Sequence, residues 1–280
     1  MDRLGILGGC IVPHPPLLIP DIGGRELKNV HSTYGAMERL GEELGVLQPE
    51  VLVMMSPHSP PYRDAFAVRT GDNLQGSFAG FGCPQVRISK QNDVELLRVI
   101  KKLADEAGLP LAELESAGSS FSSRGQELDH GLLVPLYYLD RYFETPIVAI
   151  SISGLDYSSH FRLGRMVKEA CENLRRRAVF VASGDLSHRL KPVSPAGFNP
   201  RGEEFDRLIV DIASSGDFDS LYDIDEKLVE EAGECGFRPI HTMWGALKNG
   251  ELDSSVYSYE GPFGVGYLVS LQLKRAKVEK

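Results

Sequence analysis

Residues 4–16, LGILGGCIVPHPP, run from a largely apolar stretch into a histidine held between prolines. Leu4 to Val12 reads as a β-strand, and the prolines at 13, 15 and 16 remove backbone donors and stiffen the turn that aims His14. The design recurs in residues 51–62, VLVMMSPHSPPY, where the strand Val51 to Ser56 runs into Pro57-His58 with further prolines beyond. A third strand, Val179 to Ala182, continues as VFVASGDLSHRL into a Gly-Asp turn, with Asp185 three residues ahead of His188. Open α/β folds place their ligand crevices at the ends of strands, so these three histidines mark a candidate site.

Working outward, Ala65 to Arg69, Ile147 to Ile152, Val256 to Tyr259 and Val265 to Leu273 read as further strands. Amphipathic stretches between them read as helices: Glu26 to Leu44, Asp93 to Ala107, Leu132 to Tyr142, Ser159 to Arg176, Arg201 to Ser214 and Pro239 to Leu247. In the first, Leu27, Val30, Tyr34, Met37, Leu40 and Leu44 recur at three- and four-residue steps and form one apolar face for core packing. The alternation predicts an α/β fold, a central mixed sheet flanked by helices, in a single domain spanning 1–280 with no repeat or linker. Ser116 to Gly125, rich in Ser and Gly without apolar period, is expected to be a loop over a site.

Composition excludes several classes of function. At 280 residues and 42% hydrophobic content the chain can bury a sizeable core. A net charge of -9, with one basic cluster at Arg175-Arg176-Arg177, argues against nucleic acid as a partner. No run approaches the roughly 18 to 20 apolar residues that span a bilayer, so no membrane association is expected. The N-terminus is interrupted by prolines and shows no cleavage site, so it is expected to be mature structure. Cys10, Cys83, Cys171 and Cys235 form no close pair, which predicts neither disulfides nor a zinc ribbon and fits a reducing, cytoplasmic setting.

His130, in ELDHGLLVPLYYL (127–139), stands where a helix begins. There it can orient a substrate or polarise bound oxygen, or simply join Asp129 in capping the helix. Histidine is the side chain that exchanges protons near neutral pH, so His188 at this location can take and return one, metal ligation being the competing role. Asp185 serves equally well as a turn-former. His31, His160 and His241 lack strand-end context and read as structural. Two neutral histidines hold a first-row metal incompletely, and a carboxylate as third ligand leaves positions open for substrate and O2. Glu234 is the candidate, set in the turn Gly233-Glu234-Cys235-Gly236, whereas Glu230 and Glu231 close a charged helix.

The segments VPHPPLLIPDIG, SPHSPPYRDAF, ELDHGLLVPLYY, SGDLSHRLKPVSPAGFNPRGEEFD, AGECGFRPI and SYEGPFGVGY, spread from about residue 5 to 270, resemble the class III extradiol ring-cleavage dioxygenases of the protocatechuate 4,5-dioxygenase β-subunit type. More narrowly, they look like the dioxygenase-like domain of the AmmeMemoRadiSam system, which is related to the Memo proteins. The resemblance implies Fe(II) held by His14, His58 and Glu234, with His188 as acid/base and His130 as a second active-site histidine. It also implies a catechol-type aromatic substrate, O2 and a homodimer. Memo relatives carry a cysteine where the dioxygenases have their carboxylate, and here Glu234 and Cys235 are adjacent. GECGF resembles the GEGGF-type turn of ring-cleaving relatives, which favours Glu234 and leaves Cys235 packed behind the site.

Such an Fe(II) site carries a net positive charge that a catecholate neutralises. Tyr62, Tyr137 and Phe198 are candidate pocket walls, or core residues. An AMMECR1-type domain often follows in the relatives, so here it is expected as a separate partner, alongside a radical S-adenosylmethionine enzyme. That pairing is the second functional expectation, modification of a protein or metabolite. A metal- or peptide-binding protein and a zinc hydrolase complete the alternatives.

Overall fold

The computed structural model describes residues 4–58, 62–114 and 127–275, so the expected Ser116–Gly125 loop lies outside the described residues. Ten strands are seen: β1 (Gly5–Val12), β2 (Val51–Ser56), β3 (Phe66–Arg69), β4 (Asn73–Phe78), β5 (Cys83–Gln91), β6 (Leu111–Leu114), β7 (Ile147–Ser151), β8 (Arg177–Ser183), β9 (Leu252–Glu260) and β10 (Tyr267–Lys274). The α-helices are α1 (Pro20–Gly23), α2 (His31–Leu47), α3 (Val94–Glu106), α4 (His130–Leu139), α5 (Tyr157–Asn173), α6 (Arg201–Ser215), α7 (Glu226–Ala232) and α8 (Phe237–Leu247).

Eight strands form one mixed sheet in the order β6-β3-β7-β2-β8-β1-β10-β9. At its centre β7, β2, β8 and β1 run parallel. Their runs IVAIS, VLVMMS, RAVFVAS and GILGGCIV are buried throughout except at Arg177, as a sheet covered on both faces requires. Successive residues feed opposite layers. Leu52, Met54, Val179 and Val181 pack with Met37 and Leu40 of α2 and Leu132 and Leu136 of α4. Val53, Met55 and Phe180 pack on the other face with Ile100 of α3, Val167 of α5, Ile209 of α6 and Met243 of α8.

The expected α/β class and flanked mixed sheet are therefore present, with differences at element ends. Residues 24–30 form a 3-10 turn, so the first long helix begins at His31 rather than Glu26. α4 begins at His130, two residues before the expected Leu132, because the Asp129 carboxylate accepts from Gly131 N at 2.9 Å and caps it there. Strand β6 and the hairpin β4–β5 are not anticipated in the sequence; the hairpin forms a two-stranded sheet of its own, tied to the rest of the chain by an isolated bridge between Gln75 and Glu127. Among the described residues no helix is long and apolar enough to cross a membrane.

Candidate metal centre

The parallel strands β1, β2 and β8 end on one edge of the sheet, with β8 between the other two. His14 and His58 each lie two residues beyond their strands, and Asp185 lies two beyond β8. Adjacent strand ends thereby bring together side chains far apart in sequence. His14 Nε2 and His58 Nε2 are 2.8 Å apart, and Cys235 Sγ is 3.7 Å from His14 Nε2. These three donor atoms all lie within 4.8 Å of one another, and no other such group occurs among the described residues.

Hydrogen bonds set the His14 tautomer. The Ser183 hydroxyl donates to Gly131 O, a carbonyl that can only accept, so Ser183 Oγ is left to accept from His14 Nδ1 at 2.9 Å. The proton therefore sits on Nδ1, and Nε2 faces the cluster with its lone pair. Burial, reinforced by the neighbouring His58, pushes the His14 pKa down to about 3, so the ring stays neutral. The His14 backbone N–H donates to Asp185 Oδ1 at 3.0 Å, tying the β1 turn to the β8 turn. Burial raises the Asp185 carboxyl to about 6.

His58 is held from both sides. Its N–H donates to Ser56 Oγ at 3.1 Å, and its ring stacks on His130 at 4.1 Å between centroids. Ser56 Oγ donates to Asp129 Oδ1 at 2.6 Å, and Arg69 Nη2 donates to Asp129 Oδ2 at 3.1 Å. One carboxylate thus caps α4, fixes the serine behind His58 and neutralises a guanidinium that is only 2% exposed. The capping reading attached to Asp129 holds, and the His130 ring still faces the cluster, 5.5 Å from His14. Burial lowers the His130 pKa to about 4.

Glu234 departs from expectation. Its Oε2 accepts from Phe237 N at 2.5 Å, at the first turn of α8, where an anion meets unpaired N–H groups. The donor cluster contains the neighbouring Cys235 thiol in its place. The cause is the backbone: a Cβ on Gly184 would come within 2.2 Å of Gly236 Cα, so a glycine at 184 is what lets the β8 turn and the α7–α8 link touch. That contact brings Cys235 N to Asp185 O and Asp185 N to Cys235 Sγ, both at 3.2 Å, turning the thiol toward His14. Burial raises the Glu234 carboxyl to about 7 and the Cys235 thiol well above its usual range.

His188 follows the same β8 turn. Its Nδ1 lies 3.0 Å from Leu186 O, an acceptor, so Nδ1 carries the proton and Nε2 the lone pair. Ser187 N beside it donates to the buried Asp206 Oδ1 at 2.7 Å. Among the expected walls, Tyr137 packs edge-to-face on Tyr138, while Tyr62 and Phe198 are exposed. An aromatic absent from the sequence reading is Phe81, whose ring lies 5.3 Å from His130. It sits on the β4–β5 hairpin, whose polar strands give no strand signal. His160 and His241 are buried away from the cluster, with Nδ1 bonded to Asp156 O and Phe237 O.

Residues 8–270 match the family described as the catalytic LigB subunit of aromatic ring-opening dioxygenase. A Clostridium acetobutylicum protein is 34% identical over 265 residues, 94% of this chain, and the chain spans only 57% of that protein's length. The 2-aminophenol 1,6-dioxygenase β subunit of a Pseudomonas species is 25% identical, with 94% of this chain and 92% of that subunit covered. The crystal structure of an uncharacterized Escherichia coli protein shares the fold, with a TM-score of 0.60 over 97% of this chain and 100% of that one at 17% identity.

Proposed function

Because the chain belongs to the family of catalytic LigB subunits of aromatic ring-opening dioxygenases, we propose that it opens the ring of a catechol- or aminophenol-type aromatic with O2, using a ferrous ion held by His14, His58 and Cys235. The carrying observation is the convergence of two imidazole nitrogens and one thiol sulfur at the strand ends. The donor chemistry fits a metal. His14 is neutral with its lone pair directed inward, and a bound cation would take the thiol as thiolate. Thiolate donors also welcome zinc. Fe(II) is preferred because opening a ring with O2 requires a metal that changes its electron count.

A ferrous ion held by His14, His58 and Cys235 would supply a Lewis-acid site for the aromatic and redox chemistry with O2. The protein's own groups handle protons and position. His188 Nε2, its lone pair secured by the Nδ1 bond to Leu186 O, takes the proton from a substrate hydroxyl and later returns it. His130 stays neutral, which lets it hydrogen-bond substrate or oxygen without repelling the cation. Glu234 supports the site indirectly by fixing the start of α8 next to Cys235.

A second reading is favoured by the thiol itself, since the resemblance places a cysteine at this position in Memo relatives. In it the protein is a metal-binding component of an AmmeMemoRadiSam modification system, acting with a radical S-adenosylmethionine enzyme and an AMMECR1-type partner. Anaerobic loading with Fe(II), then catechol or 2-aminophenol and O2, separates the two. Ring cleavage requires O2 uptake with formation of a ring-opened chromophore, reduced about 100-fold or more in His188→Ala. Iron binding without O2 uptake on any aromatic tried would sink ring cleavage and leave the second reading.

A further inference from the structure

The hairpin β4–β5 stands outside the main sheet, yet it is firmly rooted. Leu74, Phe78, Cys83 and Ile88 are buried against the α4 layer, and a Cβ on Gly76 would come within 2.5 Å of Leu128 O. Its tip is Gly80-Phe81-Gly82, with Gly82 at φ +77° and open space around both glycines. Between them Phe81 is 44% exposed, an apolar ring left half in water although buried apolar side chains lie at the hairpin's root. It contacts Phe78 at 6.3 Å on one side and His130 at 5.3 Å on the other. His130 in turn stacks on His58, so a continuous line of rings leads from the hairpin tip to the donor cluster.

The geometry points to Phe81 as the residue that selects the substrate ring, packing against an aromatic anchored at the cluster and favouring rings without a charged substituent on that side. The inference rests on the proposed metal-anchored aromatic substrate. Removing the water-exposed face of Phe81 by stacking a neutral ring on it is favourable, whereas a carboxylate there loses its hydration to an apolar surface. The Phe81 side chain carries no hydrogen-bonding group and is 44% exposed, and its flanking glycines have open space, so substitutions of that ring are compatible with folding.

The test is anaerobic titration of the Fe(II)-loaded protein with 4-nitrocatechol, whose visible spectrum shifts on chelation, in wild type, Phe81→Ala, Phe81→Trp and Phe81→Arg. Iron content is measured for each. Phe81→Ala is expected to keep its iron and weaken nitrocatechol about three- to tenfold, the scale of one aromatic pair. Phe81→Trp retains wild-type binding, and Phe81→Arg shifts competition between catechol and protocatechuate toward the carboxylated ring. If wild type binds nitrocatechol and Phe81→Ala binds it equally, the role of Phe81 is overturned while the metal-anchored reading stands. A wild-type protein that holds iron but produces no spectral shift overturns both.

Discussion

In a tight link the direction of a side chain is set by the dihedral angles around it rather than by alternation. Between α7 and α8, Gly233 at φ +62° reverses the chain, and three residues later Gly236 rests on Gly184. Glu234 therefore meets the N-terminus of α8 while Cys235 meets His14. Nothing in the string GECGF reveals that division, whereas His14 and His58 were readable because strand ends carry them. The same logic makes Ser183 decisive, since its hydroxyl orders the proton on His14. Ser183→Ala removes the acceptor at Nδ1 and frees the ring to take the other tautomer. Metal affinity should fall about 10- to 100-fold, the usual effect of losing such an outer partner, as read by competition with a chromophoric chelator. An unchanged affinity would show that the tautomer is fixed by something else.

At the scale of elements, the four central parallel strands were readable because each is a largely apolar run, and the long helices because their apolar faces recur at helical spacing. The hairpin was not. NLQGSF and CPQVRISKQ mix polar and apolar residues, since one side packs on α4 and the other meets water. The start of α4 shows how an element and the site depend on the same atoms. Asp129 accepts from Gly131 N, Ser56 Oγ and Arg69 Nη2, and Arg69 is buried. Asp129→Ala strips a buried guanidinium of its counter-charge, which costs about 3 to 5 kcal/mol of folding stability. Adding Arg69→Met should recover much of that loss, because the stranded charge disappears with it. Urea denaturation of the two single variants and the double variant measures the coupling, and strictly additive effects would contradict this account.

Over the whole molecule, burial moves titratable groups in two opposing directions. His14, His130, His160 and His241 are pushed down to about 3 or 4, so the unfolded chain takes up their protons first as pH falls below about 6.5. Their contribution to stability is complete above that pH and is lost as pH falls. Asp185, Asp206 and Glu234 are pushed up to about 6 or 7, so the folded chain holds their protons more tightly and stability is lost as pH rises toward 7. The two sets offset each other, so the wild-type profile conceals both, and one residue far from the cluster isolates the histidine part. His160 donates from Nδ1 to Asp156 O at 2.9 Å and accepts from Ser153 N at 3.4 Å, so protonating Nε2 both charges a buried ring and removes that acceptor. Gln at this position is polar but does not titrate. The stability difference between wild type and His160→Gln should be largest near pH 7 and shrink as pH falls from about 6.5 toward 4, by an amount on the order of 3 kcal/mol. Chemical denaturation of the metal-free proteins at half-unit pH steps reads that difference directly. A difference that stays constant across the window would mean that His160 titrates alike in the folded and unfolded chains.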